Sequence, residues 1–160
     1  MISRATLLDR GDLASWAASV RARGERIVFT NGCFDLLHRG HVEYLAEAAA
    51  CGDVLIVAVN SDASVRGLKG PSRPLVSAAD RCAVLQYLRP VEALTIFDEP
   101  TPLETIMLVR PDVLVKGDEY AERDIVGAED VRSWGGDVVR VPMRPGRSTS
   151  GLIESIKRLP

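Results

Sequence analysis

The sequence predicts an α/β fold: one doubly wound parallel sheet of five strands, with helices on both faces. Three observations predict it. Short apolar runs alternate with segments of helical period from one end of the 160 residues to the other. One run, Val54-Leu55-Ile56-Val57-Ala58-Val59, is apolar on both faces, as a buried central parallel strand must be. The connections are long enough for crossover helices, which parallel strands require and which turn right-handed.

The elements follow in order. Residues 12–23 place Leu13, Trp16, Ala17 and Val20 on one helical stripe. Residues 26–30 form the first strand. A helix over 40–51 carries Val42, Leu45, Ala46 and Ala49 and is closed by Gly52. After the central strand, Val65 to Pro74 is rich in glycine and proline, with Arg66, Lys69 and Arg73 three to four residues apart. This is expected to be a mobile loop facing phosphate. Ser77 is an N-cap for a helix over 78–88, which Pro90 stops. A third strand covers 93–97. Thr101-Pro102-Leu103-Glu104 combines a capping-box pattern with proline at the first helical position, so a helix starts there. Residues 111–117 give a fourth strand ending in Lys116-Gly117. A short helix over 127–134 leads into a fifth strand at 137–141, and residues 150–159 close the chain as a helix. No repeat, low-complexity tract or linker interrupts this pattern, so residues 1–160 are expected to form a single domain. Trp16 and Trp134 are packing residues. Arg89 is expected to be a solvated charge, and Arg81 carries no assignment from sequence.

Composition narrows the function classes. Apolar residues make up 46% and charged residues 26%, with a net charge of −2. There is no global attraction to nucleic acid or an anionic membrane, so an anion site must be built from local groups. Aromatic content is 5%, too little for a base-stacking platform. No apolar stretch approaches the roughly 20 residues of a spanning helix, and no signal-peptide core opens the chain. Cys33, Cys51 and Cys82 are odd in number and lack metal-type spacing, so neither a disulfide framework nor a zinc site is expected. The cytoplasm is the expected compartment. Cys33 is taken as a small turn residue rather than a nucleophile.

The chemistry concentrates where the first strand meets the second helix, at Thr30-Asn31-Gly32-Cys33-Phe34-Asp35-Leu36-Leu37-His38-Arg39-Gly40-His41. Such a junction presents unpaired backbone N–H groups and the positive end of a helix dipole, both favourable to phosphate. His38 and His41, the only two histidines, add imidazole donors there. Three further candidates fall at strand ends or a helix start on the same edge of the sheet. They are Asn60 and Asp62 with the following loop, Lys116-Gly117, and Ser148-Thr149.

The pattern Gly-x-Phe-Asp-x-x-His-x-Gly-His resembles the signature of the nucleotidyltransferase superfamily that includes the cytidylyltransferases. Together with Val-Ala-Val-Asn-Ser-Asp, Leu-Lys-Gly-Pro-Ser-Arg-Pro, Val-Leu-Val-Lys-Gly-Asp-Glu-Tyr and Gly-Arg-Ser-Thr-Ser, it is similar to the D-glycero-D-manno-heptose 1-phosphate adenylyltransferases over residues 10–158. That resemblance implies a Rossmann-like nucleotidyltransferase fold and transfer of an adenylyl group from ATP to the sugar 1-phosphate, for the lipopolysaccharide inner core. It also implies Mg²⁺ carried mainly on ATP with no protein metal site, and a homo-oligomer of at least two copies. No kinase segment occurs in the sequence, so the free-standing form is expected.

Carried over by position, the resemblance makes Asn31, Gly32, Phe34, His38, His41, Lys116, Ser148 and Thr149 nucleotide contacts and Lys69 the loop lysine that reaches the phosphates. Thr30, Cys33, Gly40 and Gly117 are expected beside them on the nucleotide side, Asp35, Asn60, Asp62, Lys69 and Arg73 on the substrate side, and His38, His41 and Lys69 as the catalytic set. The chain departs from the family pattern at Ser150, where a second threonine is usual, and at Asp118-Glu119, where Gly-Asp is common. A cytidylyltransferase acting on glycerol 3-phosphate or a related phospho-alcohol shares the signature. A pantetheine-phosphate or flavin adenylyltransferase shares ATP. A non-catalytic nucleotide sensor would not require both histidines and both lysines. A synthetase relative is disfavoured by small size and the lack of a basic surface for tRNA.

Overall fold

A computed structural model describes residues 4–160. Its sheet has six strands, all parallel: β1 (Thr6–Leu8), β2 (Ile27–Gly32), β3 (Val54–Asn60), β4 (Ala93–Phe97), β5 (Val113–Gly117) and β6 (Asp137–Val141), in the order β1-β4-β3-β2-β5-β6. The five strands expected from the sequence are present, and the correction is the sixth. At three residues, β1 is too short for any periodicity to register. It is held on the edge by pairing Leu7 with Leu94.

The helices are α1 (Leu13–Ala22), α2 (Arg39–Ala49), α3 (Asp62–Lys69), α4 (Ala78–Leu85), α5 (Leu103–Val109), α6 (Ala128–Ser133) and α7 (Thr149–Lys157). Alternation along the buried strands divides them between two layers. On one face Val28, Leu55, Val57, Leu94 and Val115 pack against Tyr44, Leu45 and Ala48 of α2 and Cys82 and Leu85 of α4. On the other, Ile27, Phe29, Ile56, Ala58 and Leu114 pack against Leu13, Ala17 and Val20 of α1, Ile106 and Val109 of α5, and Val131 of α6. All seven residues of β3 are buried, because layers cover both of its faces. Each fully buried aliphatic side chain contributes about 1.5–3 kcal/mol, so the two layers dominate the stability. Trp16 and Trp134 pack at the margin of the second layer, and Trp134 Nε1 donates to Pro111 O at 3.0 Å.

Local chemistry sets the boundaries. Ser61 and Ser77 cap α3 and α4, accepting from the amides of Ser64 and Asp80. The segment expected as a loop from residue 65 is therefore helical up to Lys69. The three-residue spacing of its basic groups Arg66 and Lys69 fits a helical period that Gly67, Gly70 and Pro71 disguise. α5 begins at Leu103 with Pro102 at its cap and no side-chain cap bond, so the capping box suggested by Thr101 and Glu104 does not form.

The order of the strands fixes where a ligand can enter. From β2 the chain winds outward through β3 to β4, and then crosses back to place β5 on the other side of β2. The reversal falls between β2 and β5, and the crevice beyond their carboxyl ends is the binding position of such sheets.

Candidate functional site

At the end of β2 the backbone leaves the sheet through Gly32, Cys33 and Phe34. Phe34 adopts a left-handed conformation with φ 49°, strained for a residue with a side chain. Its ring lies over Gly32, where an added Cβ would stand 2.9 Å from Cε2. The turn ends at His38, the N-cap of α2. There the His38 Nδ1 accepts from the Gly40 amide at 3.1 Å. With Nδ1 accepting, the neutral imidazole carries its proton on Nε2, which is free to donate. Gly40 is required by close approach, since a Cβ there would lie 3.0 Å from the His38 ring.

His41 stacks on His38 with ring centroids 3.9 Å apart, and its other neighbour is Phe34 at 5.3 Å. Burial, reinforced by His38 and by Lys69, depresses the His41 pKa to about 4, so this imidazole is neutral at physiological pH. Burial and the Arg147 charge lower His38 as well. His41 Nδ1 is buried and meets no partner in the protein. Two neutral donors over a helix N-terminus suit a polyanion and cost less desolvation than two imidazolium ions.

Lys116 is the penultimate residue of β5. Burial lowers its pKa to about 8, against an opposing effect from Glu119 and Cys33. Its Nζ lies 5.1 Å from the centroid of the Tyr120 ring. Thr30, one residue before Asn31, ties the two central strands together: its Oγ1 lies 2.7 Å from the Tyr44 hydroxyl and donates to Val115 O at 3.0 Å.

These elements enclose a cavity of about 450 Å³. Asn31, Gly32, Cys33, Phe34, Asp35 and His41 form its wall on the signature side. Asn60, Lys69 and Arg73 approach from the β3 side, Lys116 from β5 and Thr149 from α7. Pro100-Thr101-Pro102, Leu68, Tyr120 and Val126 complete it, and sequence reasoning missed all of these. Pro100, Thr101, Pro102 and Val126 lie outside the quoted family motifs and carry no charge, whereas Leu68 and Tyr120 lie inside them as uncharged neighbours of Lys69 and Lys116. A smaller adjoining compartment of about 140 Å³ adds Gly117, Glu119 and Met143. Asn31 Oδ1 and Arg73 Nη2, like His41 Nδ1, are buried without partners. Unpaired buried polar atoms are costly, so three of them around one cavity mark it as a place for a polar ligand.

Apart from Thr149 and Cys33, the sequence candidates that follow lie outside this cavity. His38 and Ser148 line a separate groove with Arg39 and Arg147, beside the start of α7. Ser148 caps that helix by accepting from Gly151 N at 3.0 Å, and Thr149 Oγ1 donates to Leu36 O at 3.1 Å. Gly40 is buried under His38. Thr30 lies fully buried behind the wall. Asp62 accepts from Arg81 Nη2 at 2.9 Å and from Ala78 N at 2.8 Å. Arg81, unassigned from sequence, has a fully buried side chain that also donates to Cys33 O at 2.6 Å and Val76 O at 3.0 Å. It pins the signature turn to the segment before α4. Burial pushes the Cys33 thiol up, which keeps it protonated and a poor nucleophile. Among the described residues no group of three or more His, Cys, Asp or Glu is arranged to hold a metal ion. No described helix is long and apolar enough to cross a membrane.

A family model described as cytidylyltransferase-like matches residues 29–151. Among curated proteins, the bifunctional protein HldE of Koribacter versatilis is 54% identical over 153 residues, covering 96% of this chain and 32% of that protein. The bifunctional protein HldE of Methylobacillus flagellatus is 53% identical over 136 residues, covering 85% and 28%. The chain thus spans about a third of the length of these relatives. Among solved structures, a lipopolysaccharide core biosynthesis protein from Thermoplasma volcanium superposes with a TM-score of 0.63 at 28% identity, covering 76% of this chain and 98% of that one.

Proposed function

The chain belongs to the cytidylyltransferase-like family, and from that premise we propose that it transfers the adenylyl group of ATP to D-glycero-D-manno-heptose 1-phosphate, giving ADP-heptose and pyrophosphate. One observation carries the proposal: Lys69, Arg73, Lys116 and a neutral His41 converge on a single cavity at the strand-order reversal, the equipment for several phosphates at once. The relatives named bifunctional protein HldE and the lipopolysaccharide core biosynthesis protein support the choice of acceptor.

In this reading an oxygen of the sugar phosphate attacks the α-phosphorus of ATP in line. A new P–O bond forms as the bond to the β-phosphate bridging oxygen breaks, and pyrophosphate leaves with that electron pair. The nucleophile is already an anion, so no general base is needed. Catalysis consists of positioning and of stabilising charge on the transferring phosphoryl and the leaving group. His41 donates to the triphosphate from the cavity wall, and His38, stacked on it, offers Nε2 from the neighbouring groove. Lys116 and Lys69 neutralise charge, Arg73 meets the acceptor phosphate, and Ser148 and Thr149 present the start of α7 to the nucleotide. Asn31, Gly32, Cys33, Phe34, Gly40 and Gly117 shape the nucleotide side, and Asn60 and Asp62 the acceptor side. Among the described residues no carboxylate or histidine group is arranged to hold Mg²⁺, which would come with ATP and would supply neutralisation of the triphosphate charge. The active unit is residues 1–160 as one domain, assembled as at least a dimer and acting in the cytoplasm, where ATP is supplied.

The test is pyrophosphate release in Mg²⁺, with ATP, CTP and GTP each paired with heptose 1-phosphate and glycerol 3-phosphate. Turnover confined to ATP with the heptose phosphate is expected. Turnover with CTP and glycerol 3-phosphate would replace this assignment with a cytidylyltransferase. A folded protein that binds ATP and releases no pyrophosphate with either acceptor would remove it.

A further inference from the structure

Asp35 lines the cavity, yet its side chain is 1% exposed and its acceptor capacity is already filled by the protein. Oδ1 accepts from the amides of Leu75 at 2.9 Å and Val76 at 2.8 Å, and Oδ2 from Arg73 Nε at 2.7 Å and again from the Leu75 amide at 3.0 Å. Burial pushes this carboxyl up, but those donors outweigh it and hold the pKa below the usual value, so the group is an anion. An acceptor this fully engaged has nothing left for a substrate hydroxyl.

What Asp35 controls is Arg73. A guanidinium is planar, so fixing Nε against a carboxylate oxygen also fixes the direction of both Nη groups. An aspartate commonly closes a two-pronged fork on arginine. Here the second oxygen is taken by the Leu75 and Val76 amides, and the Nη2 of Arg73, a residue that lines the cavity, is buried without a partner. Leaving a charged donor buried and unpaired is costly, and an oxyanion in the cavity relieves it. The segment is braced from its other side by Arg81, which donates to Val76 O and Cys33 O. Asp35 and Arg73 therefore cannot drift apart without moving the signature turn.

We propose that Asp35 is a positioning residue for the acceptor: it does not touch the sugar phosphate, but aims Arg73 Nη2 at one of its phosphate oxygens. The inference rests on the functional reading above and deepens it by separating the acceptor's anion contact, set by Asp35, from the ATP contacts set by the histidines and Lys116.

The experiment is steady-state kinetics of Asp35→Asn, Arg73→Lys and the double variant, varying ATP and heptose 1-phosphate separately. Asp35→Asn replaces an acceptor with a donor that faces the Arg73 and amide donors, releasing the guanidinium. The expected result for each single variant is a KM for heptose 1-phosphate raised at least tenfold, with the KM for ATP within twofold. The double variant should be no worse than the weaker single, because both break one contact. A parallel rise in the ATP KM, a loss confined to kcat, or multiplying effects in the double variant would overturn the proposal. If Asp35→Asn loses its cooperative unfolding transition, Arg73→Lys decides alone, and an unchanged acceptor KM overturns the proposal. Failure of the wild-type chain to turn over heptose 1-phosphate is a separate result: it removes the functional reading, and this inference with it.

Discussion

On the proposed reading, Lys116 makes the affinity for ATP depend on pH in a predictable direction. Burial holds its pKa at about 8. Its charge is therefore present below that pH and lost above it. The protonated fraction falls from about nine-tenths at pH 7 to about one-tenth at pH 9. If only the ammonium form engages the triphosphate, the ATP dissociation constant should rise by about tenfold over that interval. The groups facing Lys116 do not obscure the effect: the Cys33 thiol and the Tyr120 hydroxyl are both pushed up, and His41 is already neutral. Calorimetric titration with a non-hydrolysable ATP analogue in saturating Mg²⁺, at half-unit steps from pH 7 to 9, measures the slope. Lys116→Arg keeps the charge throughout and should bind with almost no slope, even if its geometry lowers the affinity. A flat wild-type profile, or the same slope in Lys116→Arg, would refute the assignment of this lysine to the nucleotide.

Three further outcomes are expected. His41→Ala should fold and lose about 10²–10³ in turnover, the usual cost of one lost transition-state donor; near-normal pyrophosphate release would remove His41 from the catalytic set. Arg81→Met should destabilise by about 3 kcal/mol in urea unfolding, because Asp62, Cys33 O and Val76 O lose a fully buried partner together. Gly127→Ala should cost about 1–3 kcal/mol, since the residue has φ 82° and its Cβ would lie 2.8 Å from Ile106 Cδ1; an unchanged unfolding midpoint would contradict that reading.

Much of the fold was legible because parallel strands buried on both faces announce themselves, Val54 to Asn60 most plainly. The strand at Thr6–Leu8 was not, since three residues carry no period and its existence depends on a partner, Ala93 to Thr95, far along the chain. The helix at Asp62–Lys69 was hidden by its glycines, although Ser61 was available as a cap. In the site, residues of distinctive chemistry at element ends were legible, and His41, Lys69 and Lys116 do border one cavity. What sequence could not supply was partnership. Asp35 meets donors 38 to 41 positions away, and Arg81 meets Cys33 O 48 positions away. Such pairings are products of the tertiary fold and leave no local pattern. The same is true of Thr30, whose hydroxyl faces Val115 and not the cavity.

The adjacency of β2 and β5 has a consequence for how the protein acquires its activity. The contact between Thr30 and Val115 spans 85 positions, with two other strands and four helices between them in the chain. Closing so long a loop costs entropy before any contact repays it, which makes this a late and slow pairing compared with β2 on β3. The lysine from β5 and the signature turn from β2 are strangers until that moment. On the proposed reading, the phosphate contacts of Lys116 and of the signature turn come together only once β5 has paired with β2.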